Sequence, residues 1–103
     1  MTSWRSETNR FEWNRKKAKE NLAKHGISFQ EAIEAYEDPY ALELYDSDHS
    51  YLEDRYYRIG ALGIVVVLLV CFTEREGNIR LISARKATME EKAIYEENFQ
   101  NIR

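Results

Sequence analysis

Residues 64–85 read IVVVLLVCFTEREGNIRLISAR, and the reading of this stretch decides the fold. Its opening, Ile64 to Phe72, is an unbroken run of nine apolar residues. That is about half of what a bilayer-spanning helix requires. A short, β-branched run of this kind predicts a central strand over Ile64–Thr73, covered on both faces. Glu76-Gly77-Asn78 then supplies a tight turn, and a further strand follows from Ile79 to about Arg85. So short a connection favours antiparallel pairing, because parallel neighbours need a crossover of about a dozen residues or more.

Working upstream, Gly60 and Gly63 bracket a turn, and Arg55 to Ile59 forms another strand. Leu42 and Leu44 alternate with Glu43 and Tyr45, the period of a half-buried strand, and Asp46 to Ser50 reads as a loop. Before them, Ser28 and Glu31 form an S-x-x-E capping box ahead of Phe29, Ala32, Ile33 and Tyr36, which share one helical face. Asp38-Pro39 ends that helix, since the residue before a proline avoids the α region. Asn14 caps a basic helix from Arg15 to about His25 that Gly26 terminates. Phe11-Glu12-Trp13 alternates as a short strand, and residues 1–10 are expected to be a loose, flexible arm. Downstream, Thr88 and Glu91 open a last helix with Tyr95, Phe99 and Ile102 on one stripe. The expectation is therefore α+β: an antiparallel sheet with two N-terminal helices and one C-terminal helix packed on it, a single domain over residues 11–103.

The chain of 103 residues is 44% hydrophobic and 32% charged, the balance of a soluble globular domain. A lone Cys71 and no basic-then-apolar N-terminal stretch predict a cytoplasmic protein without disulfides. The net charge of −3 hides strong segregation. Residues 1–26 carry seven basic side chains against three acidic, residues 27–54 nine acidic and none basic, and residues 55–86 six basic against two acidic. The two basic blocks are expected to share one positive face, with the acidic block elsewhere.

The polar inventory excludes several chemistries. No nucleophile elbow, phosphate-binding glycine loop, C-x-x-C or H-E-x-x-H is present, and His25 and His49 stand alone in sequence. No metal or other cofactor is expected. What remains is arginine on and beside the sheet: Arg55, Arg58, Arg75, Arg80 and Arg85. A guanidinium fork binds phosphate and stabilises a phosphorane-like transition state. RNA carries its own nucleophile, the 2′-hydroxyl, so the protein need add only a base and an acid, for which Lys24, His25 and Glu53 are candidates. Tyr56 and Tyr57 are candidates for stacking on bases, with one of the two facing the core. Strand parity imposes a condition. Arg80 and Arg85 lie an odd number apart and reach one face only if the strand ends or bulges near Ser83-Ala84. The same arithmetic separates Arg55 from Arg58.

Several spaced segments resemble one family. They are Phe11-x-Trp13, Lys24-His25-Gly26 with Phe29 and Ala32, Asp38-Pro39, Glu53-x-Arg55-x-x-x-Ile59-Gly60, Thr73-x-Arg75, Arg80 to Ala87 (RLISARKA), and Glu91-Lys92-x-x-Tyr95. In this order they resemble BrnT, the toxin half of a type II toxin–antitoxin pair. The resemblance implies a RelE-like fold and a metal-independent endoribonuclease that cleaves RNA and inhibits translation. It also implies a BrnA-type antitoxin that binds the toxin in a hetero-oligomer. By position it implies catalytic roles for Lys24, His25, Glu53, Arg80 and Arg85, and RNA binding by Arg55 and Arg75. Tyr56 is expected beside them as the stacking aromatic on its chemistry alone. Ile64 departs from the pattern, standing where a polar or basic residue is expected. Its apolar side chain would cost one RNA contact and leaves open an alternative: a module that binds antitoxin or RNA without cleavage. A stand-alone DNA-binding regulator is disfavoured by the negative charge and the lack of a recognition helix.

Overall fold

The computed structural model describes residues 1–6 and 8–102. The elements in chain order are β1 (Thr2–Arg5), β2 (Arg10–Trp13), α1 (Arg15–His25), α2 (Phe29–Tyr36), β3 (Leu42–Tyr45), β4 (Arg55–Leu62), β5 (Val66–Arg75), β6 (Asn78–Lys86) and α3 (Met89–Ile102). The strands form one sheet in the order β1-β2-β6-β5-β4-β3, with β5 near its centre. Every neighbouring pair is antiparallel except β2 and β6, which run parallel. The α+β class is as expected, and among the described residues no helix is long and apolar enough to cross a membrane.

Local signals in the sequence set the helix ends. The Asn14 side chain accepts the backbone N–H groups of Lys16 and Lys17, and Gly26 closes α1 in the left-handed region. Ser28 and Glu31 form the expected reciprocal capping box on α2. Thr88 and Glu91 do the same for α3. The β5–β6 hairpin turns through Glu76 and Gly77, both at positive φ, the backbone a two-residue hairpin requires.

Helices α1 and α2 cover one face of the sheet. There, Leu68, Val70 and Phe72 of β5 meet Phe29, Ala32, Ile33 and Tyr36 of α2 and Phe11 and Trp13 of β2. Edge-to-face ring pairs (Phe11–Tyr36 at 5.2 Å, Tyr36–Phe72 at 5.0 Å, Trp13–Phe29 at 5.9 Å) tie this core together. On the opposite face α3 covers only one end, where Tyr95 packs on Ile59, Val67 and Leu69. Tyr95 stacks with Phe99 as the stripe predicts, and the side chain of Ile102 lies outside the described residues. Among the described residues, no other helix covers that second face.

Three expectations are corrected. Thr2–Arg5 is not a loose arm but an edge strand paired with β2, from Thr2 opposite Trp13 to Arg5 opposite Arg10. Gly60 is not a turn residue, because β4 runs through it to Leu62 and only Gly63 lies in the turn. The central strand starts at Val66 and not Ile64, because Ile64 and Val65 belong to the exposed β4–β5 connection.

Candidate nucleic-acid site on the open face

The parity condition is met by a bulge. Leu81 pairs with Phe72 and Ser83 with Cys71, so Ile82 is the extra residue in β6. Arg80 then lies opposite Thr73 and Arg85 opposite Leu69, two positions four apart on β5 that share a face. On the other side of β5, Arg55 also pairs with Thr73 and Tyr57 with Cys71. Arg55, Tyr57, Cys71, Thr73, Arg75, Arg80, Ser83 and Arg85 therefore lie on the one face that α3 leaves largely open.

Tyr56 goes the other way. It stacks on Phe72 within the helix-covered face, ring centroids 5.5 Å apart, so Tyr57 is the tyrosine of the arginine face. Arg58 also faces the helices, its guanidinium 4.3 Å from the centre of the Tyr36 ring and paired with Glu43.

The open face is not purely basic, contrary to the charge-block expectation, because acidic residues fold onto it beside the arginines. Arg80 pairs with Glu12 at 2.7 Å and Arg75 with Glu53 at 3.1 Å. Arg85 forms a two-pronged pair with Glu91 at 2.8 and 3.0 Å. Glu91 also accepts the Thr88 N–H, so the cap of α3 orients the last arginine of β6. Arg55 is the least satisfied, with Glu53 4.0 Å away and its Nε buried without a hydrogen-bond partner among the described residues. A buried donor left open in this way is rare in folded proteins.

Glu53, Arg55 and Arg75 line one groove of about 330 Å³ together with His49, Tyr51 and Leu52. Lys24 and His25 are not in it. They line a separate groove, with Lys17, Asn21, Ile82 and Ser83, where α1 meets β6. Asp46, Tyr57 and His49 form a network that the sequence reading did not assemble. The Asp46 carboxylate, only 7% exposed, lies 2.9 and 3.1 Å from His49 Nδ1. Burial works to raise its pKa, yet hydrogen bonds from Tyr57 and His49 hold it below the ordinary range. Burial first, and the Asp46 acceptor second, push the Tyr57 hydroxyl up to about 12, so it remains a donor. The one signal in the sequence was the Asp46-x-x-His49 spacing in a turn. Among the described residues no three His, Cys, Asp or Glu side chains converge as a metal site.

Two more carboxylates of this face are held below their usual range. For Glu91 the main cause is the Arg85 hydrogen bond; for Glu12 it is the Asn78 amide, with Arg80 adding to it. A carboxylate whose folded pKa is depressed contributes stability above its unfolded pKa and loses it as pH falls through the folded value. The melting temperature should therefore decline steadily below about pH 4. Glu91→Gln should flatten part of that decline, and a profile identical to wild type would show that the pair adds nothing to stability.

Residues 13–91 match the model of a family described as the ribonuclease toxin BrnT of type II toxin–antitoxin systems. The fold is similar to the crystal structure of the Brucella abortus ribonuclease toxin BrnT, at 24% identity and a TM-score of 0.60, covering 75% of this chain and 94% of that one. No curated protein matches.

Proposed function

Because the chain belongs to the BrnT family of ribonuclease toxins of type II toxin–antitoxin systems, we propose that its open arginine face binds and cleaves RNA. The observation that carries this reading is the Ile82 bulge, which gathers Arg80 and Arg85 onto the face of Arg55 and Arg75. Guanidinium forks on a sheet are suited to a phosphodiester and to the extra charge of its transition state. The internal carboxylates mark where phosphate oxygens would sit and are displaced as the RNA docks. Attack comes from the 2′-hydroxyl, so no metal is needed to generate a nucleophile. Glu53 sets Arg55 and Arg75, while Lys24 adds positive charge beside His25 where α1 flanks Ser83. Ile64 lies at the far end of the β4–β5 hairpin from Arg55, so its apolar side chain takes nothing from the groove. The consequence in the cytoplasm is loss of RNA and arrest of translation.

The partner is an antitoxin of BrnA type. Glu12, Glu53 and Glu91 already occupy the guanidiniums, which supports an acidic antitoxin segment as a competitor of RNA for the same forks. Expression of the chain alone should halt growth and deplete RNA, and Arg55→Ala or Arg85→Ala should relieve the arrest. The purified protein should cut an oligoribonucleotide but not its 2′-deoxy counterpart, and equimolar antitoxin should abolish RNA binding. Intact RNA and normal growth with the wild-type chain would sink the reading.

A further inference from the structure

We propose that His49 is the general base of RNA cleavage, taking the proton of the 2′-hydroxyl through Nε2, with Asp46 as its positioning residue. This rests on the RNA-cleaving reading above and adds the group that reading lacks. Four independent features converge on His49. It lines the groove that holds Glu53, Arg55 and Arg75. Its Nδ1 meets a nearly buried carboxylate that can only accept, so Nδ1 carries the proton and Nε2 is the nitrogen with a free lone pair. Tyr57, on the open face, lies beside the same carboxylate and is held neutral by burial and by it. The loop itself is prebuilt: Asp46 N–H donates to the Arg55 carbonyl at 2.8 Å, and the Ser50 hydroxyl bridges the Asp46 carbonyl and the Arg55 N–H. The Thr73 hydroxyl, donating to the Asp54 carbonyl, ties down the loop's other end. The base is therefore carried on the backbone of the residue that offers the least satisfied guanidinium.

The charged and titratable groups around the ring are Asp46, bonded to Nδ1, then Tyr51, Glu53, Arg55 and Arg75 of the same groove, and Tyr57 beside Asp46. As Nε2 takes the proton, the imidazolium lies against the Asp46 carboxylate and is stabilised by it. The O2′–P bond forms and the P–O5′ bond breaks. The products are a 2′,3′-cyclic phosphate and a 5′-hydroxyl, whose oxygen takes its proton from water. His49 is 58% exposed through its side chain, so it reaches solvent and substrate without rearrangement.

The test uses the whole chain, a labelled oligoribonucleotide, and the same oligomer with a 5′-thio leaving group that needs no proton. His49→Ala should lower kcat by about 10²–10⁴-fold with KM little changed, and free imidazole should restore part of the loss. The defect should persist on the 5′-thio substrate, because a base acts before the leaving group departs. His49→Asn, whose amide N–H takes the place of Nδ1–H against Asp46, should be equally impaired and guards against a loop that collapses in the alanine variant. If both variants cleave like wild type, the assignment falls while the arginine face stands. If the defect vanishes on the 5′-thio substrate, His49 is not the base. A wild-type chain that leaves the oligoribonucleotide uncut overturns the function and this assignment together.

Discussion

Asn21→Leu should destabilise the protein by about 3 kcal/mol or more, although leucine has the same branching and the same number of heavy atoms. Asn21 is buried on α1, 6% exposed, and its amide makes three hydrogen bonds to backbone. Nδ2 donates to the carbonyls of Ala84 and Ile27 at 2.8 and 3.0 Å, and Oδ1 accepts the Ala84 N–H at 3.0 Å. The pairing of β2 with β6 ends at Arg80, so beyond it the edge of β6 has no strand to satisfy it. The side chain of Asn21 acts as one residue of that missing strand. Leucine would orphan three backbone groups in a buried setting, each costing about 1–3 kcal/mol. Against a total stability of about 5–15 kcal/mol, that is enough to leave much of the population unfolded. The position also has functional weight, since Ala84 sits between the Ile82 bulge and Arg85. Thermal or urea melting of Asn21→Leu checks this, and a loss under about 1 kcal/mol would mean that water replaces the amide.

How far the sequence alone discloses this molecule depends on whether a feature is local. The helix limits are legible because Asn14, Gly26, Ser28-x-x-Glu31 and Thr88-x-x-Glu91 act on backbone within four residues of themselves. The central hairpin is legible because an apolar run bounded by Glu76-Gly77 has few other solutions. Strand β1 is not, because Thr2, Ser3, Trp4 and Arg5 have no apolar alternation and are held only by pairing with β2. The arginine face was legible as a condition: parity demanded that the strand end or bulge near Ser83-Ala84, and Ile82 supplies a bulge, though no residue type announces one. The choice between Tyr56 and Tyr57 depended on which neighbour of Arg55 meets Phe72, a fact of register and not of composition. The groove of His49 was invisible for the same reason. Its members come from a loop, the start of β4 and the end of β5, and they meet only once β4 and β5 are in register.

Gly60→Ala is expected to be the most damaging single methyl in the chain, costing about 3 kcal/mol or more. A Cβ built on Gly60 would lie 2.0 Å from the Ala35 carbonyl oxygen and 2.9 Å from its carbon. Both are backbone atoms, so no side chain can rotate away, and the end of α2 must lift from β4. What lifts with it is a junction. Asp38, just past α2, accepts the Ala61 N–H and the Tyr95 hydroxyl, joining α2, β4 and α3 at one carboxylate. Displacing it loosens both faces of the sheet at once. For a domain of this size the expected fall in melting temperature is roughly 12–24 °C. Gly63 is the internal control. It has φ of +70° but open space around it, so Gly63→Ala pays only the left-handed backbone cost of about 1–2 kcal/mol. The two glycines look alike in sequence, three residues apart before the same apolar run, and the structure separates them by what each one touches. Because β4 carries Arg55 and Tyr57 at its other end, Gly60→Ala should also abolish growth arrest while altering no side chain of the open face. Equal melting temperatures for the two variants would show that α2 does not rest on Gly60.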